Sequence, residues 1–400
     1  MGTRKAWALI VGVMAGISLA AGAYRAAGRV ATAEWLALNE EAAAKHADGD
    51  DQRAVEVGLR ALQVAERNGD DANLATTLNN LSVAYSGIGD LGTAESLAKR
   101  AVAIREKVLK PGHPDLAGAL SNLGMIYVDM KDIAKAKALS ERALAMVEES
   151  LGPEAAEVAT ALNNLGVVYK AAGEHAASHA ALQRALAIRE RILAPDAPEL
   201  AMTIFNIGAT YYDENRYAEA EPLFERALAI LEKTLAPEHP EVVSAIKRLA
   251  LTRHQLARYP EEKALLERAL AIQERRLGRN DPEAARLLVG ISAVHAFLGE
   301  YAEGLQKAQR AEAIYENTLG KNHPDYAYSV RAVGWLSDAL GKHKDAELEY
   351  RRALAVFEET SEANDPEIMK TLRYLAVCLE NQGRTDEAQS LLARASDTTK

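Results

Sequence analysis

Apolar residues recur along this chain in two nested periods. Over short stretches they fall at i, i+3 and i+7, as in Leu78, Leu81 and Tyr85, the spacing of an amphipathic helix with one buried stripe. These stretches themselves repeat every 42 residues: Leu78, Leu120, Leu162, Ile204, Ile246, Leu288, Val330 and Leu372 form one column, and Leu81, Leu123, Leu165, Ile207, Leu249, Ile291, Val333 and Leu375 the next. A second helix in each unit carries a column held to one methyl group, from Ala101, Ala143 and Ala185 through to Ala353 and Ala395. Side chains that small let helix axes approach closely. The pattern predicts eight helix pairs.

The polar and special residues punctuate the same period. A turn column (Gly89, Lys131, Gly173, Asn215, Ala257, Gly299, Gly341, Gly383) consists mostly of residues that tolerate a left-handed backbone after a helix. A second column, Pro114, Pro198, Pro240, Pro282, Pro324 and Pro366, is followed by Asp or Glu, as in His113-Pro-Asp115 and His239-Pro-Glu241. Proline at the first helical position followed by an acid starts a helix. The regular array therefore occupies residues 74–396, followed by a polar tail at 397–400. Residues 32–73 read as a degenerate helix pair (Trp35 to Ala47, then Gln52 to Arg67) that caps the exposed end of the stack.

Residues 1–31 stand apart. Arg4 and Lys5 precede an apolar run from Ala6 to Ala23, and Arg25 and Arg29 follow it. The run reads as a signal peptide or a membrane anchor. The expectation is a chain anchored in a membrane through its N-terminal helix, or exported after cleavage.

Leu162-Asn-Asn-Leu-Gly-Val-Val-Tyr169 followed by Arg184-Ala-Leu-Ala-Ile188, with relatives 42 residues before and after, resembles the tetratricopeptide repeat. The long unit and its His-Pro-acid linkers are similar to the kinesin-light-chain type, whose usual N-terminal heptad coiled coil this chain lacks. The resemblance covers about Leu74 to Ala395. It implies an all-α, right-handed superhelical solenoid of antiparallel helix pairs, whose first helices line a concave groove that binds peptides.

At about 100° per residue, the face of each first helix opposite the apolar stripe carries Thr76, Asn80, Val83 and Gly87 and their equivalents. Two groups of candidate partner contacts follow. Asn80, Asn122, Asn164 and Asn206 form a column able to bond both polar groups of an extended peptide. From Arg248 onwards the face turns basic and aromatic, with Arg286, Phe297, Tyr328, Trp335, Lys370 and Tyr374, the composition of binding hot spots. Such a face suits an acidic segment or a free carboxylate terminus.

The net charge of −10 argues against nucleic acid as the partner. One cysteine, Cys378, provides neither a disulfide framework nor a thiolate metal site. His175 and His179 have chelating spacing on one helix but no third ligand, and the Arg column from Arg100 to Arg394 recurs in every unit, pointing to a structural role with a Glu of a neighbouring repeat. No phosphate loop, nucleophile elbow or paired-carboxylate site is present. The chain reads as a non-enzymatic scaffold without cofactor or metal that binds a protein or peptide. Two alternatives stand beside it. One is a self-associating solenoid whose C-terminal pair (Leu375, Leu379, Leu391, Leu392) docks on a second copy to make a homodimer. The other is a non-catalytic regulatory subunit of a separate enzyme.

Overall fold

The computed structural model describes residues 33–362 and 364–396. Eighteen helices, and no strands, occur among these residues. In chain order they are α1 (Ala33–Ala47), α2 (Asp51–Asn68), α3 (Asp71–Ile88), α4 (Leu91–Val108), α5 (Pro114–Asp129), α6 (Ile133–Leu151), α7 (Ala156–Ala171), α8 (His175–Ile192), α9 (Pro198–Asp213), α10 (Tyr217–Thr234), α11 (Pro240–Gln255), α12 (Tyr259–Leu277), α13 (Pro282–Phe297), α14 (Tyr301–Thr318), α15 (Pro324–Ala339), α16 (His343–Thr360), α17 (Pro366–Asn381) and α18 (Thr385–Ser396). Odd-numbered helices are the first of each pair and even-numbered the second. The chain divides into two compact units, residues up to Ala245 and residues from Ile246.

Local chemistry sets the helix boundaries. All eight residues of the turn column adopt positive φ, including the non-glycines Lys131, Asn215 and Ala257, so the column marks a left-handed stop between the helices of each pair. The six linker prolines each open a helix. The linker histidines act as caps: the Nδ1 atoms of His113, His239 and His323 accept the backbone N–H two residues on, at 3.2, 3.2 and 3.1 Å. Asp281 and Asp365 do the same with a carboxylate at 2.8 Å.

In the first unit the core is a continuous apolar layer. Leu78, Leu120, Ile204 and the small residues Ala101, Ala143, Ala185 and Ala227 are fully buried. The Arg column pairs along the second helices: Arg142 with Glu106 at 2.8 Å, Arg184 with Glu148 at 2.5 Å and Arg226 with Glu190 at 2.9 Å. The first pair belongs to this stack, since Trp35 Nε1 donates to Thr77 Oγ1 at 2.8 Å. In the second unit Arg310 pairs with Glu274 at 2.6 Å, Arg352 with Glu312 at 3.0 Å, and Arg394 with Glu358.

Two expectations are revised. Among the described residues no helix is long and apolar enough to cross a membrane. The apolar run at residues 6–23, on which anchoring or export rested, lies outside the described residues, so that localisation is withdrawn. At the C-terminal end Leu375 and Leu379 are fully buried, because they form part of the helix-packing stripe of α17. These two present no docking surface, whereas Leu391 and Leu392 on α18 are partly exposed.

Candidate functional site

The asparagine column has a different environment from the one its spacing predicts. Each first helix packs against the second helix of its own pair and, within a unit, against neighbouring first helices, and in the first unit the face opposite the apolar stripe is itself largely covered. Asn164 and Asn206 are only 1% and 4% exposed. The amides bridge neighbouring first helices: Asn80 Nδ2 donates to Asn39 Oδ1 at 3.0 Å, Asn122 Nδ2 to Asn79 Oδ1 at 3.1 Å, and Asn206 Nδ2 to Asn163 Oδ1 at 3.1 Å. Asn163 Nδ2 in turn lies 3.5 Å from Asn164 Oδ1. Buried amides need partners, and for Asn80, Asn122 and Asn206 the preceding repeat supplies them. The expectation that all four asparagines point away from the stack is corrected for the buried Asn164 and Asn206.

In the second unit the candidate residues divide. Phe297, Tyr328, Trp335, Lys370 and Tyr374 line a single cavity of about 450 Å³ between the first helices α13, α15 and α17. Arg286 lies off this cavity and is held by Glu283 at 2.8 Å and Asp325 at 3.8 Å. Arg248, on α11, is half-buried and is likewise not among the lining residues.

The aromatic walls are fixed from behind. Phe297 stacks on Tyr259 with ring centroids 4.8 Å apart, and His254 meets the edge of the same ring at 5.2 Å. Trp335 contacts Tyr301 edge-on at 6.1 Å, Tyr328 contacts Phe357 at 5.2 Å, and Tyr374 lies 6.0 Å from Tyr350. Each wall ring on α13, α15 or α17 thus has a supporting ring on a second helix. Phe297 is nevertheless 56% exposed. Burial, reinforced by the charge of Glu367, raises the pKa of the Tyr328 phenol, which keeps it a neutral hydrogen-bonding group at the cavity wall.

Charge in the cavity is asymmetric. Arg331, which also lines the cavity, is buried. Its guanidinium forms an ion pair with Glu367 Oε2 at 2.5 Å and donates to Thr371 Oγ1 at 3.1 Å, and it lies 5.2 Å from the Tyr328 ring centroid. Its charge is therefore neutralised internally. Lys370 is exposed and pairs with no carboxylate among the described residues, and its ammonium lies 5.9 Å from the Tyr374 ring centroid. The spacing placed the small residues Ala293 and Ala332 on this face, where they line the cavity, and missed Ala296. Gly290 and Ala332 occupy the column that holds asparagine in the first four regular repeats.

The remaining chemical candidates do not form a centre. His179 Nε2 is bonded to Glu214 Oε2 at 2.7 Å and its ring packs on Tyr211 at 4.3 Å. No group of three potential metal ligands occurs among the described residues. Burial pushes the Cys378 thiol up to about 12, far from a reactive thiolate.

A family model described as tetratricopeptide repeat matches residues 34–107, 115–191, 195–275, 283–359 and 339–400. No curated protein matches the sequence. Among solved structures, the chain is similar to a putative kinesin light chain with nearly identical TPR-like repeats from Podosopora anserina, with 26% identity, 50% of this chain and 94% of that chain covered, and a TM-score of 0.41. It is also similar to the apo form of RapI (14% identity, 90% and 96% covered, TM-score 0.60). The apo form of the quorum sensor NprR from B. thuringiensis gives 14% identity, 90% and 97% coverage and a TM-score of 0.60. At that identity the last two share a fold with this chain and nothing more is drawn from them.

Proposed function

Because the chain belongs to the tetratricopeptide-repeat family, whose members generally act in protein–protein interaction, we propose that it is a scaffold that captures a partner segment on the first-helix face of its second unit. The observation that carries this reading is a cluster of aromatic side chains around one open cavity there: Phe297 at 56% exposure, with the half-buried Tyr328, Trp335 and Tyr374. Grouped exposed apolar residues mark interaction sites, and aromatic side chains backed by packed neighbours make the strongest anchors. The exposed Lys370 gives the face a basic point that favours a partner carrying carboxylates beside its apolar residues. The asparagines are assigned to the scaffold, where they hold first helices in register.

The test starts from a random dodecapeptide display library panned against the full chain. Selected sequences are expected to combine an aromatic or branched apolar residue with Asp or Glu. Trp335→Ala should weaken the best synthetic peptide at least tenfold, the order expected when a hot-spot aromatic is truncated. Failure to enrich any sequence, or equal affinity of the Trp335→Ala variant, would remove this function.

A further inference from the structure

Repeats that share one template should differ where something extra is accommodated. In the first unit, asparagines at one column cross-link neighbouring first helices through Asn80, Asn122 and Asn206. The second unit carries Gly290 and Ala332 at that column, and beside Ala332 the structure opens a cavity of about 450 Å³. That volume is in the range of small-molecule sites and exceeds what one anchoring side chain fills. Four aromatic rings wall it, and the guanidinium within it is neutralised by Glu367. Lys370, exposed at the lip, pairs with no carboxylate among the described residues.

We propose that this cavity binds a free small amphipathic carboxylic acid, with its apolar body between the rings of Tyr328, Trp335 and Tyr374 and its carboxylate on the Lys370 ammonium. An organic cation is disfavoured because its charge would meet the like charge of Lys370 at the lip. A neutral apolar molecule gains the ring contacts but leaves Lys370 unused. This goes beyond the partner-binding reading and stands independently of it, since a small acid can fill the cavity whether or not a protein covers the outer face.

The experiment is isothermal titration of the full chain with indole-3-propionate and with decanoate, using indole-3-propionamide and tryptamine as the neutral and cationic counterparts of the first. The acids should bind saturably at one site per chain, the amide about fivefold more weakly, as expected for loss of one exposed ion pair, and the amine weakest of all. Ala332→Asn restores the residue that four other repeats carry at this column, so it should fold and melt like the parent while losing the acid. Lys370→Gln should keep the site and erase the difference between acid and amide. Absence of saturable binding by both acids, or undiminished binding to Ala332→Asn, would overturn the proposal. Binding of selected peptides with no binding of either acid would overturn it too while leaving the partner reading intact. Acid binding without any enriched peptide would support it and remove the partner reading instead.

Discussion

The glycine of the Leu-Gly motif has a physical cause that its recurrence alone does not supply. A Cβ placed on Gly166 would lie 2.6 Å from Leu182 Cγ, and one on Gly208 would lie 3.0 Å from Phe224 Cε1. At the same column Ser82 and Ser292 occur where the second helix offers only Ala98 and Ala308. At Gly166 and Gly208 a large residue packs against the glycine, and at Gly124 the small Ser140 does, a Cβ there lying 2.8 Å from its Oγ. Gly166→Ala should therefore destabilise the chain by about 1–3 kcal/mol through overpacking, even though alanine is the better helix former. Adding Leu182→Ala to Gly166→Ala should cost less than Leu182→Ala in the parent, a coupling read from thermal unfolding of all four members of the cycle. Independent, additive effects would contradict the pairing. The sequence showed the glycine but gave no sign of what it faces, because that depends on matching two columns of different helices. The asparagines posed the same difficulty: a helical wheel places Asn206 away from the stripe, yet a helix packed on several sides has little free face, and the residue is buried.

At the scale of the element, the sequence was more legible. Helix starts at the linker prolines and stops at the turn column follow from backbone preference alone, so they could be placed to within a residue or two. The recurring His-Pro-acid linker indicated a shared role without indicating its mechanism. The structure supplies it: an unprotonated Nδ1 accepts the amide of the second helical residue, where aspartate does the same work at Asp281 and Asp365. His323→Ala should cost about 1 kcal/mol of local stability, the usual value of a lost cap. Hydrogen exchange in the first turn of α15 should then run about fivefold faster, with His323→Asp close to the parent. Equal protection in His323→Ala would mean that the ring is not capping. The Arg–Glu ladder of the second helices was likewise foreseen in kind. Its members are largely solvent-accessible, so each contributes at most about 1 kcal/mol and the ladder serves mainly to fix register.

Across the whole molecule, charge and chemistry are unevenly distributed. Residues 246–400 hold 23 Lys and Arg against 24 Asp and Glu, whereas residues 1–245 hold 24 against 33, so nearly all the net negative charge belongs to the first unit. The exposed Phe297 and the cavity of about 450 Å³ belong to the second. The division of labour was visible in the sequence as the point where the asparagine column ends. What could not be read there was which basic residues remain available, since Arg331 and Arg286 are committed to carboxylates while Lys370 is not. The most direct test of a partner site in the second unit uses the full chain labelled with 5-fluorotryptophan. Its three indoles are Trp7, Trp35 and Trp335, and their fluorine resonances are assigned by single Trp→Phe substitutions. On addition of the selected peptide, the Trp335 resonance should shift and saturate, while that of Trp35, buried and bonded to Thr77, stays in place. A shift of Trp35 with Trp335 unmoved would place the partner on the first unit and contradict the account.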